Sequence, residues 1–312
     1  GALTDIPSLG HKQNGGIVMN NRAPVISLNT LPWFPYDRVD VPRYLGKSHL
    51  GKRVLSHNTS FGCPFACNFC AVVALSNRRW MPESAERVAN IIQHLHTTWG
   101  IDGLEFHDMD FFVQEHRVAG FAGDSIHWWG LGRVDTLMSY SDDTWEKMRR
   151  SGLKMIFAGA ESGDDETLKR MNKGGKSSTH LTMEFVKRAQ RYGIVPELSF
   201  VMGNPPEPMA DINATVQFIR KLKAVNPATE LVLYIYNPVP QEGSIFLEEA
   251  TKLGFAFPDT LEEWAGEEWS KRSMRRDPGT SWFKDDVRRK VRDFEVVVNA
   301  FYPTTVSYTH LR

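Results

Sequence analysis

The stretch TSFGCPFACNFCAV, residues 59–72, contains Cys63, Cys67 and Cys70, which are the only three cysteines in a chain of 312 residues. Their C-x3-C-x2-C spacing places three soft thiolate ligands on one tight loop, and Gly62 can help that loop to curl. Soft thiolates suit a zinc ion or an iron–sulfur cluster. The stretch therefore predicts a metal centre that takes three of its ligands from this loop.

The identity of the fourth ligand separates two alternatives. A structural zinc site normally takes four protein ligands, and a fourth one here would have to be a histidine such as His57 or His107. A cubane iron–sulfur cluster held by three cysteines instead leaves one iron open to a non-protein ligand, which suits catalysis. The residues leave both a zinc-stabilised, non-catalytic binding module and a catalytic cluster protein open, and the spacing favours the second.

The composition narrows the class of protein. Lys and Arg together number 37, as do Asp and Glu, so the net charge does not favour a nucleic-acid partner or an anionic membrane. No apolar run is long enough to span a bilayer. An odd number of closely spaced cysteines argues against a disulfide framework and for a reducing compartment. We therefore expect a cytoplasmic protein without a membrane span.

Outward from the cysteine stretch, a short apolar run followed by an amphipathic helix recurs about six times. Strands alternating with helices predict a parallel sheet with helices outside it. Six units are too few for an eight-stranded barrel, so we predict an α/β fold, a partial (β/α)6 TIM-type barrel. The predicted strands lie at about 54–60, 102–112, 126–134, 154–162, 196–203 and 230–240.

The flanking regions differ from this repeat. The first part is rich in Gly, Pro and Asn, which predicts an extended connector anchored by Trp33, Phe34 and Tyr36. We expect an N-terminal portion to precede it, because the chain starts without Met. The last seven residues, VSYTHLR, resemble a translated sequencing adapter. The expected divisions are a connector at 1–53, a core at 54–255, a C-terminal helical extension at 256–305 and an adapter-derived segment at 306–312.

The stretch GCPFACNFC resembles the signature loop of the radical S-adenosylmethionine (radical SAM) superfamily, including the aromatic Phe69 before the third cysteine. The resemblance implies a [4Fe-4S] cluster on Cys63, Cys67 and Cys70, with S-adenosylmethionine as the ligand of the open iron. It implies reductive cleavage of S-adenosylmethionine to a 5′-deoxyadenosyl radical, which abstracts hydrogen from a small-molecule substrate. It also implies an external one-electron reductant such as flavodoxin or ferredoxin.

Acidic and basic residues follow the second and third predicted strands. Asp108 and Asp110 lie in HDMDFF, which resembles the D-D-N-F-F run of the family, with Met109 in place of the second Asp. The resemblance implies that these carboxylates lie near the ammonium group of S-adenosylmethionine, and a polar loop that caps a helix is the alternative. Arg133, at the end of the third predicted strand, suits the carboxylate of S-adenosylmethionine, and a surface salt bridge is the alternative.

Two later strand ends also resemble family motifs. Glu161 and Ser162 lie in GAESG, close to a G-x-E-S-G run, which implies contacts with the ribose or the amino-acid portion of the cofactor. Val201 and Gly203 lie in SFVMGNPPE, which resembles the adenine-binding strand, although Pro206 stands where Gly is usual. The resemblance covers roughly 54–255, and its motifs follow the family's order.

Two flanking segments resemble one branch of the superfamily. TLPWFPYDRVDVPRYL resembles the connector that follows a cobalamin-binding domain, and GFAFPDTLEEWAGEEW resembles the start of that branch's C-terminal helical region. We therefore expect a member of the cobalamin-domain-associated, class B-like branch whose N-terminal domain is missing here. Members methylate unactivated carbons or carry out oxidative chemistry, which implies a methyltransferase or oxidoreductase. Cobalamin would bind in the full-length protein, and a cluster-bearing pseudoenzyme is the remaining alternative.

Overall fold

The computed structural model describes residues 2–120, 126–171, 176–241, 243–272, 280 and 282–304. The predicted adapter-derived segment at 306–312 lies outside the described residues. Within them, no helix is long and apolar enough to pass through a lipid bilayer.

The centre of the protein is a seven-stranded sheet. In chain order, the strands are β1 (Gly10–Gln13), β2 (Gly16–Met19), β3 (Gly46–Ser48), β4 (Gly51–His57), β5 (Ser60–Gly62), β6 (Trp80–Pro82), β7 (Gly103–Phe106), β8 (His127–Arg133), β9 (Leu153–Glu161), β10 (Val195–Met202) and β11 (Glu230–Ile235). The sheet has the order β11-β10-β9-β8-β7-β4-β3, in which only β3 is antiparallel to its neighbour. Six parallel strands therefore lie side by side in chain order, as expected for a half-barrel.

Helices connect each parallel strand to the next, and further helices follow the last strand. They are α1 (Ala71–Ser76), α2 (Ala85–Trp99), α3 (Glu115–Ala119), α4 (Val134–Ser139), α5 (Asp142–Arg150), α6 (Asp165–Arg170), α7 (Thr179–Arg191), α8 (Pro208–Val225), α9 (Ile245–Lys252), α10 (Leu261–Trp264), α11 (Glu267–Arg272) and α12 (Asp285–Phe301). The predicted partial (β/α)6 barrel is confirmed, and a C-terminal helical extension follows it.

Helix α2 shows why the sequence pattern identified these elements. Ser84 accepts a hydrogen bond from the Arg87 backbone N–H at the start of the helix, and Gly100 ends it with a left-handed φ of 62°. The apolar face of the helix is buried because its residues recur at helical spacing. Its fully buried members are Val88, Ile91, Ile92 and Leu95.

The first parallel strand begins earlier than predicted. Strand β4 starts at Gly51 rather than at residue 54, because Gly51 pairs with Ser48 of the antiparallel strand β3, whereas the parallel pairing with β7 begins at Val54. The exposed side chains of this segment show no apolar alternation, so pairing across the sheet sets the boundary. Helix α4 was not predicted either, because it is only six residues long.

The N-terminal segment is anchored by fewer residues than expected. The Tyr36 hydroxyl lies 2.6 Å from His57 Nδ1, which ties the segment to the end of β4. Trp33 packs against the His94 ring, with the ring centroids 5.8 Å apart. Phe34 is 57% exposed and does not anchor the segment in the core, because its ring packs on the edge of Tyr36 instead.

Candidate functional site

The cysteine loop lies beyond the carboxyl end of β4, at the edge of the sheet where β7, β8, β9 and β10 also end. Parallel strands share one carboxyl edge, and in open α/β sheets ligands bind at that edge. The structure thus brings the predicted site residues to one edge: Cys63, Cys67, Cys70, Phe69, Asp108, Asp110, Arg133, Glu161, Ser162, Val201 and Gly203.

Asn68 fixes the centre of the cysteine loop. Its backbone N–H donates to the Met171 carbonyl and its side-chain amide donates to the Arg170 carbonyl, both at 3.0 Å. Its own carbonyl accepts a hydrogen bond of 2.6 Å from Ser244 Oγ, the N-cap of α9. Two distant parts of the half-barrel therefore hold the loop between the second and third cysteines.

The three thiols lie within electrostatic reach of one another. The pKa of Cys63 is raised to about 11, chiefly by burial; a backbone hydrogen bond at Phe65 opposes the shift, and the charges of Asp110, Cys67 and Cys70 add to it. Within the described part of the chain, however, no three His, Cys, Asp or Glu side chains are grouped closely enough to hold a metal ion. The donor set fits an iron–sulfur cluster by its chemistry. The three side chains must still converge to ligate one centre.

Arg133 contacts the cysteine loop directly. Its Nη1 donates to Cys67 Sγ at 3.1 Å, while its Nε and Nη2 donate to the Asp135 carboxylate at 3.0 and 2.8 Å. The guanidinium carbon lies 4.0 Å from the centroid of the Phe65 ring. Because Arg133 is only 6% exposed, its ion pair is buried and is not the surface salt bridge considered above.

Asp108 is bound entirely within the protein. Its carboxylate accepts hydrogen bonds from the Thr59 backbone N–H at 3.1 Å, from the Thr59 hydroxyl at 2.8 Å and from the Ser60 hydroxyl. Burial raises the pKa of Asp108, and these bonds together with the charge of Arg117 oppose that shift. Asp108 therefore fixes the segment that leads into the cysteine loop, and its contact with a cofactor stays a prediction.

The charge of Asp110 acts on the thiol of Cys63. One of its oxygens accepts a hydrogen bond of 3.0 Å from the Phe112 backbone N–H. Its charge is one of the causes that raise the pKa of Cys63, and it also raises the pKa of the buried Tyr140. Of the two predicted aspartates, Asp110 is the one whose charge acts on the cysteine loop.

Glu161 and Ser162 end β9 in different ways. Glu161 has a left-handed φ of 65°, a strained conformation for a residue other than glycine, and it is 7% exposed. Ser162 is fully buried, donates to Asp211 at 2.9 Å and accepts from the Asp164 backbone N–H at 3.1 Å. The Ser162 hydroxyl therefore forms these hydrogen bonds within the protein interior.

The end of β10 requires a glycine at residue 203. Gly203 has a φ of 81°, and a Cβ there would overlap the Phe283 ring. Its backbone N–H donates to Asp211 at 2.8 Å. Val201 and Phe69 are both partly buried against a second small core cluster, so this strand end and the cysteine loop share apolar neighbours.

Sequence reasoning missed two polar residues at this edge. Asp211 in the first turn of α8 accepts hydrogen bonds from both neighbouring strand ends. Arg170 at the end of α6 donates to the Pro205 carbonyl at 2.9 Å and pairs with Glu249. The only local signal for Asp211 is an acidic residue near a helix start, which is common on helix surfaces.

Comparison with known proteins then gives the family. A family model described as the radical SAM superfamily matches residues 57–219, just over half of the chain. The chain belongs to the radical SAM superfamily. The matched region contains the cysteine loop and the carboxyl ends of β7, β8, β9 and β10, so the predicted superfamily is confirmed and the protein is an enzyme of the radical SAM type.

This radical SAM protein also resembles two curated proteins. It is 29% identical over 227 residues to an uncharacterized methyltransferase of Pyrococcus horikoshii, which covers 70% of this chain and 48% of the relative. It is 25% identical over 239 residues to the anaerobic magnesium-protoporphyrin IX monomethyl ester cyclase of Synechocystis, covering 75% of this chain and 46% of the relative. The chain thus spans about half the length of the curated relatives that it matches.

A solved structure supports the fold of this radical SAM protein. The cobalamin-dependent S-adenosylmethionine radical enzyme OxsB superposes with a TM-score of 0.57 at 17% identity, covering 79% of this chain and 35% of that chain. At this identity the likeness concerns the fold, and it agrees with the half-barrel described above.

Proposed function

We propose that Cys63, Cys67 and Cys70 hold a [4Fe-4S] cluster and that S-adenosylmethionine binds beside it at the carboxyl edge of the sheet. The observation that carries the proposal is the cysteine loop itself, placed at this edge and fixed through Asn68, with its three thiols in electrostatic reach of one another. When bound, such a cluster supplies the electron that cleaves S-adenosylmethionine to methionine and a 5′-deoxyadenosyl radical.

The charged residues at this edge suit a cofactor with both signs of charge. Arg133 places a guanidinium beside Cys67, where its positive charge offsets the negative charge of thiolate ligands. Asp110 and Glu161 bring carboxylates toward the same edge, which favours an ammonium or sulfonium group. We propose Arg133, Asp110, Glu161, Phe69, Val201 and the Gly203 backbone as cofactor contacts, with Asp108 and Ser162 holding the backbone beneath them.

For the reaction, we propose cobalamin-dependent-type methylation or oxidative rearrangement of a small molecule. The support is the likeness to a protein named as a methyltransferase and to one named as a protoporphyrin ester cyclase. Because the chain spans about half of these relatives, cobalamin binding and the substrate belong to the whole protein. A flavodoxin or ferredoxin is the proposed electron donor, and the cytoplasm is the proposed compartment.

Anaerobic reconstitution tests the proposal. We expect about four irons per chain and a release of 5′-deoxyadenosine from S-adenosylmethionine that depends on added reductant. A variant with Cys63→Ala, Cys67→Ala and Cys70→Ala should lose both the iron and the product.

The same preparation decides between the proposal and its main alternative. A zinc-stabilised binding module would be colourless, retain tightly bound zinc after anaerobic purification and lose structure on chelation. Zinc without iron would therefore overturn the proposal. Iron without release of 5′-deoxyadenosine would point to the cluster-stabilised, non-catalytic alternative.

A further inference from the structure

The carboxylate of Asp211 joins two strand ends that are separate in the chain. Its Oδ1 accepts a hydrogen bond of 2.9 Å from Ser162 Oγ, directly after β9. Its Oδ2 accepts three more, from the Gly203 backbone N–H at 2.8 Å, the Asn204 backbone N–H at 3.1 Å and Asn204 Nδ2 at 3.0 Å, all directly after β10. One buried side chain, 6% exposed, thus fixes both loops to the start of α8.

Burial raises the pKa of Asp211, and the hydrogen bonds that its carboxylate accepts from Asn204, Ser162 and Gly203 oppose that shift and favour the ionised form. Every neighbour that contacts the Asp211 carboxylate donates, and a carboxylate is the side chain that accepts from all of them. Its place in the first turn of α8 also puts the negative charge near the positive end of the helix dipole. Hydrogen bonds to a charged group are stronger than those between neutral groups, so the Asp211 carboxylate links the two strand ends more strongly than a neutral side chain would.

The two loops carry the residues with unusual backbone conformations. Glu161, next to Ser162, is held at a φ of 65°, and Gly203 is held at a φ of 81°. Such a conformation persists at a non-glycine residue only where the surrounding structure imposes it. Thr215, one turn further along α8, accepts a hydrogen bond of 2.9 Å from the Gly163 backbone N–H and restrains the same loop.

We propose that Asp211 is a positioning residue for S-adenosylmethionine: it acts through Ser162 and Asn204 to hold Glu161 and the Gly203 backbone in the geometry that binds the cofactor. This inference rests on the proposed function and adds to it. It assigns the Ser162 hydroxyl to Asp211 and leaves the direct contacts to Glu161 and the backbone of β10.

The test compares Asp211→Ala and Asp211→Asn with Lys223→Met in the reconstituted protein. Lys223 is the matched control because it is a charged residue of the same helix, is 1% exposed and donates to the Pro227 and Thr229 carbonyls at the opposite end of α8. Substitution at either position should lower the thermal stability, because each change leaves buried polar groups without a hydrogen-bond partner. Only the Asp211 variants should affect the cofactor.

The expected result is a graded loss of affinity. Equilibrium dialysis with S-adenosylmethionine should show binding at least about tenfold weaker for Asp211→Ala, which corresponds to the loss of charged hydrogen bonds. Asp211→Asn should lie between Asp211→Ala and wild type, because one amide oxygen can still accept from the β10 loop. Lys223→Met should bind like wild type.

Hydrogen exchange of the apo-protein provides a readout independent of the cluster. Residues 161–164 and 202–204 should lose protection together in Asp211→Ala and keep it in Lys223→Met. If Asp211→Ala does not fold, Ser162→Ala, which removes one of the four donors, should show a smaller loss of the same kind. Wild-type affinity in a folded Asp211→Ala, or an equal loss in Lys223→Met, would overturn the positioning role. A wild-type protein that loads iron but binds no S-adenosylmethionine would overturn the proposed function together with this inference.

Discussion

Replacing Arg133 by methionine tests how the cysteine loop is held. The change removes a buried guanidinium and leaves the Asp135 carboxylate, 9% exposed in its side chain, without the two hydrogen bonds of 3.0 and 2.8 Å that it receives. Removal of one partner of a buried ion pair costs about 3–5 kcal/mol, because the remaining charge stays in a poorly solvated place. We expect a loss of that size in the free energy of unfolding of the apo-protein, measured by urea titration.

The double variant Arg133→Met with Asp135→Asn separates the charge from the packing. Without the carboxylate, no unpaired charge remains, so most of the lost stability should return. Arg133→Lys keeps the positive charge but cannot form the planar fork that contacts Asp135, and its loss should be intermediate. Equal losses in the single and double methionine variants would contradict the reasoning, since the cost would then come from packing against Phe65.

The single variant Arg133→Met should also lower the reduction potential of the bound cluster. Reduction adds negative charge to the cluster, and a guanidinium that donates to a cysteine sulfur stabilises the reduced form. A differential of about 1 kcal/mol equals about 40 mV for a one-electron couple. A redox titration followed by electron paramagnetic resonance measures this shift. An unchanged potential in a folded, fully loaded Arg133→Met would show that Arg133 does not contact the ligand in the holoprotein.

Two further predictions concern the backbone and pH. Gly203→Ala should destabilise the protein by more than the roughly 1–2 kcal/mol of a left-handed alanine, because the new methyl group meets Phe283. Gly243→Ala is its control, since Gly243 has a φ of 72° but open space around it, and similar melting temperatures for the two variants would refute the packing argument. Burial lowers the pKa of His57 to about 4, so the folded state resists a proton that the unfolded state takes up near pH 6.5. Stability should therefore fall as the pH drops from 6.5 toward 4, by up to about 3 kcal/mol, and His57→Gln should lose this dependence in urea unfolding.

The elements of the half-barrel were predictable because local patterns encode them. Alternating residues such as Leu104 and Phe106 are fully buried in β7, and Ser141 caps helix α5 by accepting a hydrogen bond from the Thr144 backbone N–H. Where the local pattern is weak, the prediction was wrong: the start of β4 depends on its pairing with the short strand β3, which has no apolar alternation of its own. A strand that lacks an apolar pattern is recognised only by its pairing partner in the folded sheet, and this limited the prediction.

The candidate site shows the same limit at the level of single side chains. Residue type and motif order brought Asp108, Arg133, Glu161 and Gly203 to one edge of the sheet. They could not show that the Asp108 carboxylate accepts from Thr59 and Ser60, because those partners are identified only by the folded chain. A buried polar group must find its partner somewhere in the structure, and a sequence shows the group without the partner.

The polar residues at this edge differ in whether they can give up hydrogen bonds within the protein to bind a ligand. Asp108 and Asp211 are buried carboxylates that each accept several hydrogen bonds from the protein, and withdrawing those bonds to serve a ligand would leave donors unsatisfied in the interior. A cofactor gains most from groups that are already fixed but whose charge acts outward at the edge. We therefore infer that Asp108 and Asp211 form a rigid inner layer, on which Arg133 and Glu161 are presented. The Asp108→Asn substitution should then reduce the stability of the protein more than its affinity for the cofactor. A larger effect on the affinity than on the stability would place Asp108 in the outer layer.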